Sequence, residues 1–211
     1  MTRSSINGEL PILKATGTGG TALAAFHNAL VGVNLGHYNL IRLSSIIPPG
    51  TMIDPTGMSP APSGSWGDRL YCVYAEQRTT TPGEEAWAGI GWVQRLGGGG
   101  GLMVEHEGGS EAFVTDSILT TLYDMVQGCE SEFAAPRFVV NGAHCTGKPV
   151  CSLVIAPFEM STWNVGTTVP AALDVSRGSR PREVPARPRV PSSPARREPA
   201  LGRPRDTPTT H

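Results

Sequence analysis

Hydrophobic positions along the first three quarters of the chain follow two different periods. Leu23, Phe26, Leu30 and Val31 recur at helical spacing and predict a helix over Thr21–Val31. A second helix is predicted after Ser110, which suits an N-cap, with Glu111 in the first turn. Phe113, Leu119, Leu122 and Val126 give it an apolar face, and Gly128 gives it a stop. Most of the remainder reads as strands: Tyr38–Ile47, Arg69–Arg78, Glu85–Arg95, Leu102–Glu107, Arg137–His144 and Pro149–Phe158, with a short one at Pro11–Ala15. Pro48–Pro49 cannot continue a strand and ends the first of these. Gly17–Gly20 and the Pro/Gly/Ser-rich stretch Pro48–Gly67 read as loops, Thr81–Pro82–Gly83 as a turn, and Gly97–Gly101 as a flexible, hairpin-like connection. Two helices and about six main strands predict an α+β domain over residues 1–165, a sheet-rich sandwich with its helices packed outside.

Charge divides the chain further. Residues 1–165 carry 8 Lys/Arg against 14 Asp/Glu, whereas residues 166–211 carry 9 Arg against 4 Asp/Glu. The acidic part argues against a nucleic-acid enzyme, because phosphate binding needs clustered cations. The second part holds nine of the 19 prolines and almost no large apolar residues. Such a composition buries too little surface to offset its chain entropy, so residues 166–211 are expected to be a disordered tail. That tail reads as a dispensable extension or as a tether for an acidic partner. No stretch approaches the roughly 20 apolar residues of a membrane span, and the first residues lack the pattern of a secretory leader. No membrane partner and a cytoplasmic location are therefore expected.

Several candidate motifs carry less than they first suggest. Cys129, His144, Cys145 and Cys151 lie close enough in sequence to consider zinc, but they match no CxxC spacing and read as free, buried thiols and a nearby histidine, with no metal. Gly17-Thr-Gly19-Gly20-Thr-Ala22 fits the GxGxxA pattern of a dinucleotide site. The acid that should follow about 20 residues later is absent, so a loop leading into a helix is the better reading. Ser44–Ser45 before Ile-Ile-Pro-Pro reads, taken alone, as a turn. On the strand Leu102–Glu107, alternation places Met103, Glu105 and Glu107 on one face.

The segment Asn39-Leu-Ile-Arg-Leu-Ser-Ser-Ile-Ile-Pro-Pro49 closely resembles the self-cleavage segment of the pyruvoyl-dependent arginine decarboxylases. Ala24-Ala-Phe-His-Asn-Ala-Leu30, Thr81-Pro-Gly-Glu84 and Gly101-Leu-Met-Val-Glu-His-Glu-Gly108 agree in order and spacing, so the resemblance covers roughly residues 10–160. It implies an αββα-type sandwich of the pyruvoyl-dependent histidine/arginine decarboxylase kind. It also implies scission between Ser44 and Ser45, with Ser45 converted into a covalent pyruvoyl group, the electron sink for decarboxylation. By the same resemblance, Glu105 is the proton donor, a role for which a carboxyl needs apolar neighbours such as Met103. Asn39 lies near the pyruvoyl group, and processed protomers form a homotrimer with sites between neighbours. The implied small-molecule substrate is an amino acid, nominally L-arginine, giving agmatine and carbon dioxide. One position departs from the family: His27, expected on the inward face of the first helix, stands where arginine-specific relatives carry an acid. That leaves Glu84 or Asp54 to meet a guanidinium, or implies the same chemistry on another amino acid such as aspartate. An uncleaved binding or scaffold relative is the alternative of another class.

Overall fold

The computed structural model describes residues 3–5 and 8–163; the predicted tail, residues 166–211, lies outside them. The elements in chain order are β1 (Arg3–Ser5), β2 (Glu9–Pro11), β3 (Leu13–Thr18), α1 (Ala22–Gly32), β4 (Asn39–Arg42), β5 (Ile46–Ile47), β6 (Met52–Asp54), β7 (Arg69–Thr79), β8 (Glu85–Gln94), β9 (Gly101–Gly108), α2 (Glu111–Met125), β10 (Arg137–His144) and β11 (Val150–Ser161). The chain is therefore mixed α and β, mostly strands with two helices. Both helices start on hydroxyl caps: Thr21 Oγ1 accepts from the Ala24 N–H at 3.1 Å, and Ser110 Oγ from the Phe113 N–H at 3.3 Å.

Two larger sheets organise the strands. In the first, β11 pairs antiparallel with β7 on one side and with β3 and β1 on the other, while β4 lies parallel to the start of β7 as an edge. In the second, the order is β10-β8-β9-β5, all antiparallel. β2 and β6 form a separate parallel pair. The strand alternation sorts the core. Val73, Ala75, Val154, Ala156 and Phe158 of the first sheet meet Ile47, Ala88, Ile90, Trp92 and Met103 of the second. Leu70, Cys72, Cys151, Leu153 and Ile155, on the opposite face of the first sheet, pack on Ala25, Ala29 and Leu30 of α1. Val93 and Val104 pack on Val114, Ile118 and Leu122 of α2. Each fully buried large aliphatic side chain here contributes about 1.5–3 kcal/mol. A register shift between Pro157 and Glu159 changes the phase of β11, so that Phe158 enters the intersheet core and Met160 the α1 side. It also accommodates a proline that has no N–H for the ladder.

Several elements differ from the sequence prediction. The strand predicted over 38–47 is two strands in different sheets, β4 and β5, because the chain crosses from one sheet to the other at Leu43–Ser45. Gly17 lies within β3, outside any loop: a Cβ there would stand 2.0 Å from Ala25 O and 2.3 Å from Ala29 N, so glycine lets α1 lie directly on the strand. The buried face of α1 is accordingly Ala25 and Ala29 with Leu30, while Leu23 and Val31 are exposed; on α2 it is Val114, Ile118, Leu122 and Val126, with Phe113 exposed. Finally, Pro48–Gly67 contains β6.

Candidate active site

The crossover between the sheets has a defined geometry. Before it, β4 is hydrogen-bonded to β7, and the Leu43 N–H donates to Cys72 O at 3.0 Å. After it, Ile46 and Ile47 pair with Leu102 and Gly101 of β9, and the Met103 N–H donates to Ser45 O at 2.8 Å. A direct change of sheet within so few residues bends the chain sharply, and Ser45 sits at φ +65°, the left-handed region that L-residues with a Cβ rarely occupy. Its residue is buried, with 8% exposure. The Ser45 Oγ donates to Glu105 Oε2 at 2.8 Å.

Glu105 reaches this point by strand alternation. Met103 and Glu105 lie on the intersheet face of β9, Met103 fully buried and Glu105 half-buried, while Glu107 at the strand end is exposed. The intervening Val104 faces α2, and so does His106, whose Nε2 lies 2.9 Å from Thr121 Oγ1. Of the two glutamates, only Glu105 therefore meets Ser45.

Comparison with known proteins gives the family. The family model "Pyruvoyl-dependent arginine decarboxylase" matches residues 10–162. The chain belongs to this family. Relatives named pyruvoyl-dependent arginine decarboxylase include one from Halobacterium salinarum, 39% identical over 85 residues (40% of this chain, 52% of the relative). One from Pyrococcus horikoshii is 37% identical over 97 residues (46% and 60%), and one from Thermococcus sibiricus 36% over 104 residues (46% and 60%). The aligned segments thus span about half to three fifths of those relatives. A pyruvoyl-dependent decarboxylase holds its pyruvoyl group covalently, as part of the chain. Ser45 fits as its source: a serine in strained backbone, shielded from bulk water, with its hydroxyl on a carboxylate.

The other family positions make contacts of their own. Asn39 opens β4, and Ser45 follows that strand's end. The Asn39 Nδ2 donates to Gly67 O at 2.6 Å, an oxygen that also accepts from Trp163 Nε1 at 2.8 Å. His27 is exposed on α1, contrary to the inward face that its apolar neighbours suggested, because those neighbours are themselves at the rim of the helix contact. It lines a 200 Å³ cleft with Val31, Asn34, Gly36, His37 and Trp66. The Gly67 N–H donates to His37 O at 2.8 Å, so the Trp66–Gly67 loop joins the His27 cleft to Asn39. Nothing in the chain's pattern singles out His37 and Trp66: no periodicity or motif marks them, and loop closure alone brings them to His27.

Neither acid proposed as a substitute for the missing family carboxylate lies free. Asp54 accepts from the Thr56 hydroxyl at 2.5 Å and from the Thr56 and Ser59 N–H groups at 2.9 and 2.7 Å; the Thr56 hydroxyl and then the Ser59 N–H hold its carboxyl well below the usual range. Glu84 accepts from Thr79 Oγ1 at 2.6 Å in the β7–β8 turn. Among the described residues no three ligating side chains gather as a metal site, and the four cysteines are free thiols. No helix among them is long and apolar enough to cross a membrane. Burial pushes the Cys72 and Cys151 thiols up to about 12.

Proposed function

We propose that the protein is a pyruvoyl-dependent decarboxylase that cleaves itself between Ser44 and Ser45 and acts on L-arginine, releasing agmatine and carbon dioxide. The observation that carries this reading is the hydroxyl of a strained, buried Ser45 hydrogen-bonded to Glu105, in the stretch that resembles the family's self-cleavage segment. The Ser45 Oγ adds to the Ser44 carbonyl carbon. The C–N bond breaks as the Ser45 nitrogen takes up a proton, and an ester replaces the amide. Loss of the Ser45 Cα proton and departure of the Ser44 carboxylate leave dehydroalanine. Addition of water and loss of ammonia give the ketone. Strain at φ +65° and the enforced proximity of hydroxyl and carbonyl both favour the first step.

When formed, the pyruvoyl group supplies the electron sink for loss of carbon dioxide. Glu105, beside it, delivers a proton to the former α-carbon of the substrate. Asn39 and the His27 cleft belong to the same site in this reading, supplied to Ser45 and Glu105 by a neighbouring protomer of a homotrimer. The architecture is read as an αββα sandwich of the pyruvoyl-dependent type, with a helix on the outer face of each sheet. Intact-mass measurement of the purified protein tests the proposal: fragments 1–44 and 45–211 are expected, the larger beginning with a borohydride-reducible carbonyl. A full-length chain that persists through long incubation would overturn it, and Ser45→Ala is expected to remain uncut.

A further inference from the structure

The last residues of β4 carry a contact that the reaction just described does not use. Arg42 Nη2 donates to Tyr74 O at 3.0 Å, and its guanidinium carbon sits 4.2 Å from the Tyr74 ring centroid. The Tyr74 ring stacks on Phe26 of α1, with centroids 6.2 Å apart and planes at 27°. Arg78 lies over the same Phe26 ring at 4.6 Å and is held by both oxygens of Glu76, at 2.8 and 2.5 Å. Two stacked rings capped by a cation at each end therefore run from the end of β4 over Tyr74 of β7 and Phe26 of α1 to Arg78 of β7.

Its position relative to the scissile bond gives it a role. β4 is a four-residue edge strand, the kind of element that frays most readily. Arg42 and the Leu43 N–H tie its end to β7 on the first sheet, while the Met103 N–H ties Ser45 O to the second. The peptide bond between Ser44 and Ser45 lies between these two ties. Were the first tie to loosen, the Ser44 carbonyl would be free to relax away from the Ser45 hydroxyl, and the left-handed turn at Ser45 would lose its cause. A displacement of about 1 Å at a reacting centre can reduce a rate by about 100-fold.

We propose that Arg42, stacked on Tyr74, is a positioning residue for self-cleavage, holding the Ser44 carbonyl against the Ser45 hydroxyl. This rests on the reading that the chain cleaves itself, and the test separates the two. The rate at which freshly made precursor is cut is followed by denaturing electrophoresis and intact mass for wild type, Arg42→Ala, Arg42→Lys, Tyr74→Ala and Tyr74→Phe. Arg42→Ala and Tyr74→Ala should slow cleavage by about 10- to 100-fold. Tyr74→Phe keeps both ring and carbonyl and should cut at the wild-type rate. Arg42→Lys, which keeps a cation but loses the planar stack, should fall between. Turnover per cleaved chain should change far less than the cleavage rate. The same Arg42 changes placed on Ser45→Ala, which stays one chain, report folding: melting temperatures within a few degrees of the parent are expected. Wild-type cleavage in Arg42→Ala would overturn the inference. A large drop in melting temperature matching the slowed cleavage, with no recovery in Arg42→Lys, would also overturn it, because Arg42 would then serve only the fold. An uncut wild type would instead sink the function proposed above.

Discussion

The Ser45 hydroxyl and the Glu105 carboxylate meet at 2.8 Å although 60 positions separate them in sequence. The contact exists because β5 and β9 are neighbours in the second sheet, which brings Ser45 opposite Met103, and because alternation then aims Glu105 to the same side as Met103. In the proposed reading, one carboxyl would thus adjoin the bond to be cut and then the carbonyl derived from it.

Glu105→Gln separates these two stages. Glutamine keeps an oxygen that accepts from the Ser45 hydroxyl, so cleavage should proceed. An amide cannot deliver the proton, so turnover of the cleaved protein should fall by at least ~100-fold. Glu107→Gln, at an exposed position, should do much less. Carbon-dioxide release from mass-verified cleaved protein measures both, and the reverse order would place the proton donor at Glu107.

His27→Asp should improve arginine use. A carboxylate can accept two parallel N–H bonds from a guanidinium, whereas an imidazole offers a single lone pair. A charge-assisted bond of this kind, at an exposed position, should lower KM for arginine about tenfold, with kcat little changed. An unchanged KM would remove His27 and its cleft from the substrate's path.

Gly17→Ala should destabilise the fold. The added Cβ would press on the backbone of α1 at Ala25 and Ala29, which cannot move aside as a flexible side chain can. Overpacking of this sort costs at least ~2 kcal/mol, measurable by urea denaturation on the Ser45→Ala background. A loss under ~0.5 kcal/mol would mean that α1 rides up without penalty.

The buried thiols predict an alkaline weakness. Cys72 and Cys151 are pushed up to about 12 by burial, above the ordinary thiol value of about 8.5. The stabilisation from keeping them neutral is complete below the unfolded value. It is lost as pH rises from there toward the folded value, because the unfolded chain releases those protons first. Stability should therefore fall by up to about 1.4 kcal/mol per pH unit per thiol between roughly pH 9 and 12. Denaturant titrations of Ser45→Ala at pH 8 and 10, with and without Cys72→Ala, should show a shallower pH slope once Cys72 is gone.

Much of this was legible beforehand for identifiable reasons. The Ser110 cap, the long strands β7, β8 and β11, and the placing of Ser45 and Glu105 in one candidate site rest on local chemistry or on the matching stretches Asn39–Pro49 and Gly101–Gly108. What escaped was tertiary. Leu40, Ile41, Leu43, Ile46 and Ile47 read as one apolar strand, because nothing local says that the first half pairs with β7 and the second with β9. Large residues on α1 seemed the buried ones because Gly17, which selects small residues opposite it, looked like part of a loop. The meeting of His27 with His37 and Trp66 depends on how a loop closes, which composition does not encode.

The crossing at Leu43–Ser45 has a kinetic consequence. A cut there leaves β3, β4 and α1 on one fragment and β7 and β11, their partners, on the other. Before the cut, folding is a first-order search by one chain; afterwards, recovery from unfolding is second order and depends on dilution. If the proposed cut occurs, only the precursor would find this structure by itself, and a cut molecule would keep a shape that it could regain only by capture of its lost half.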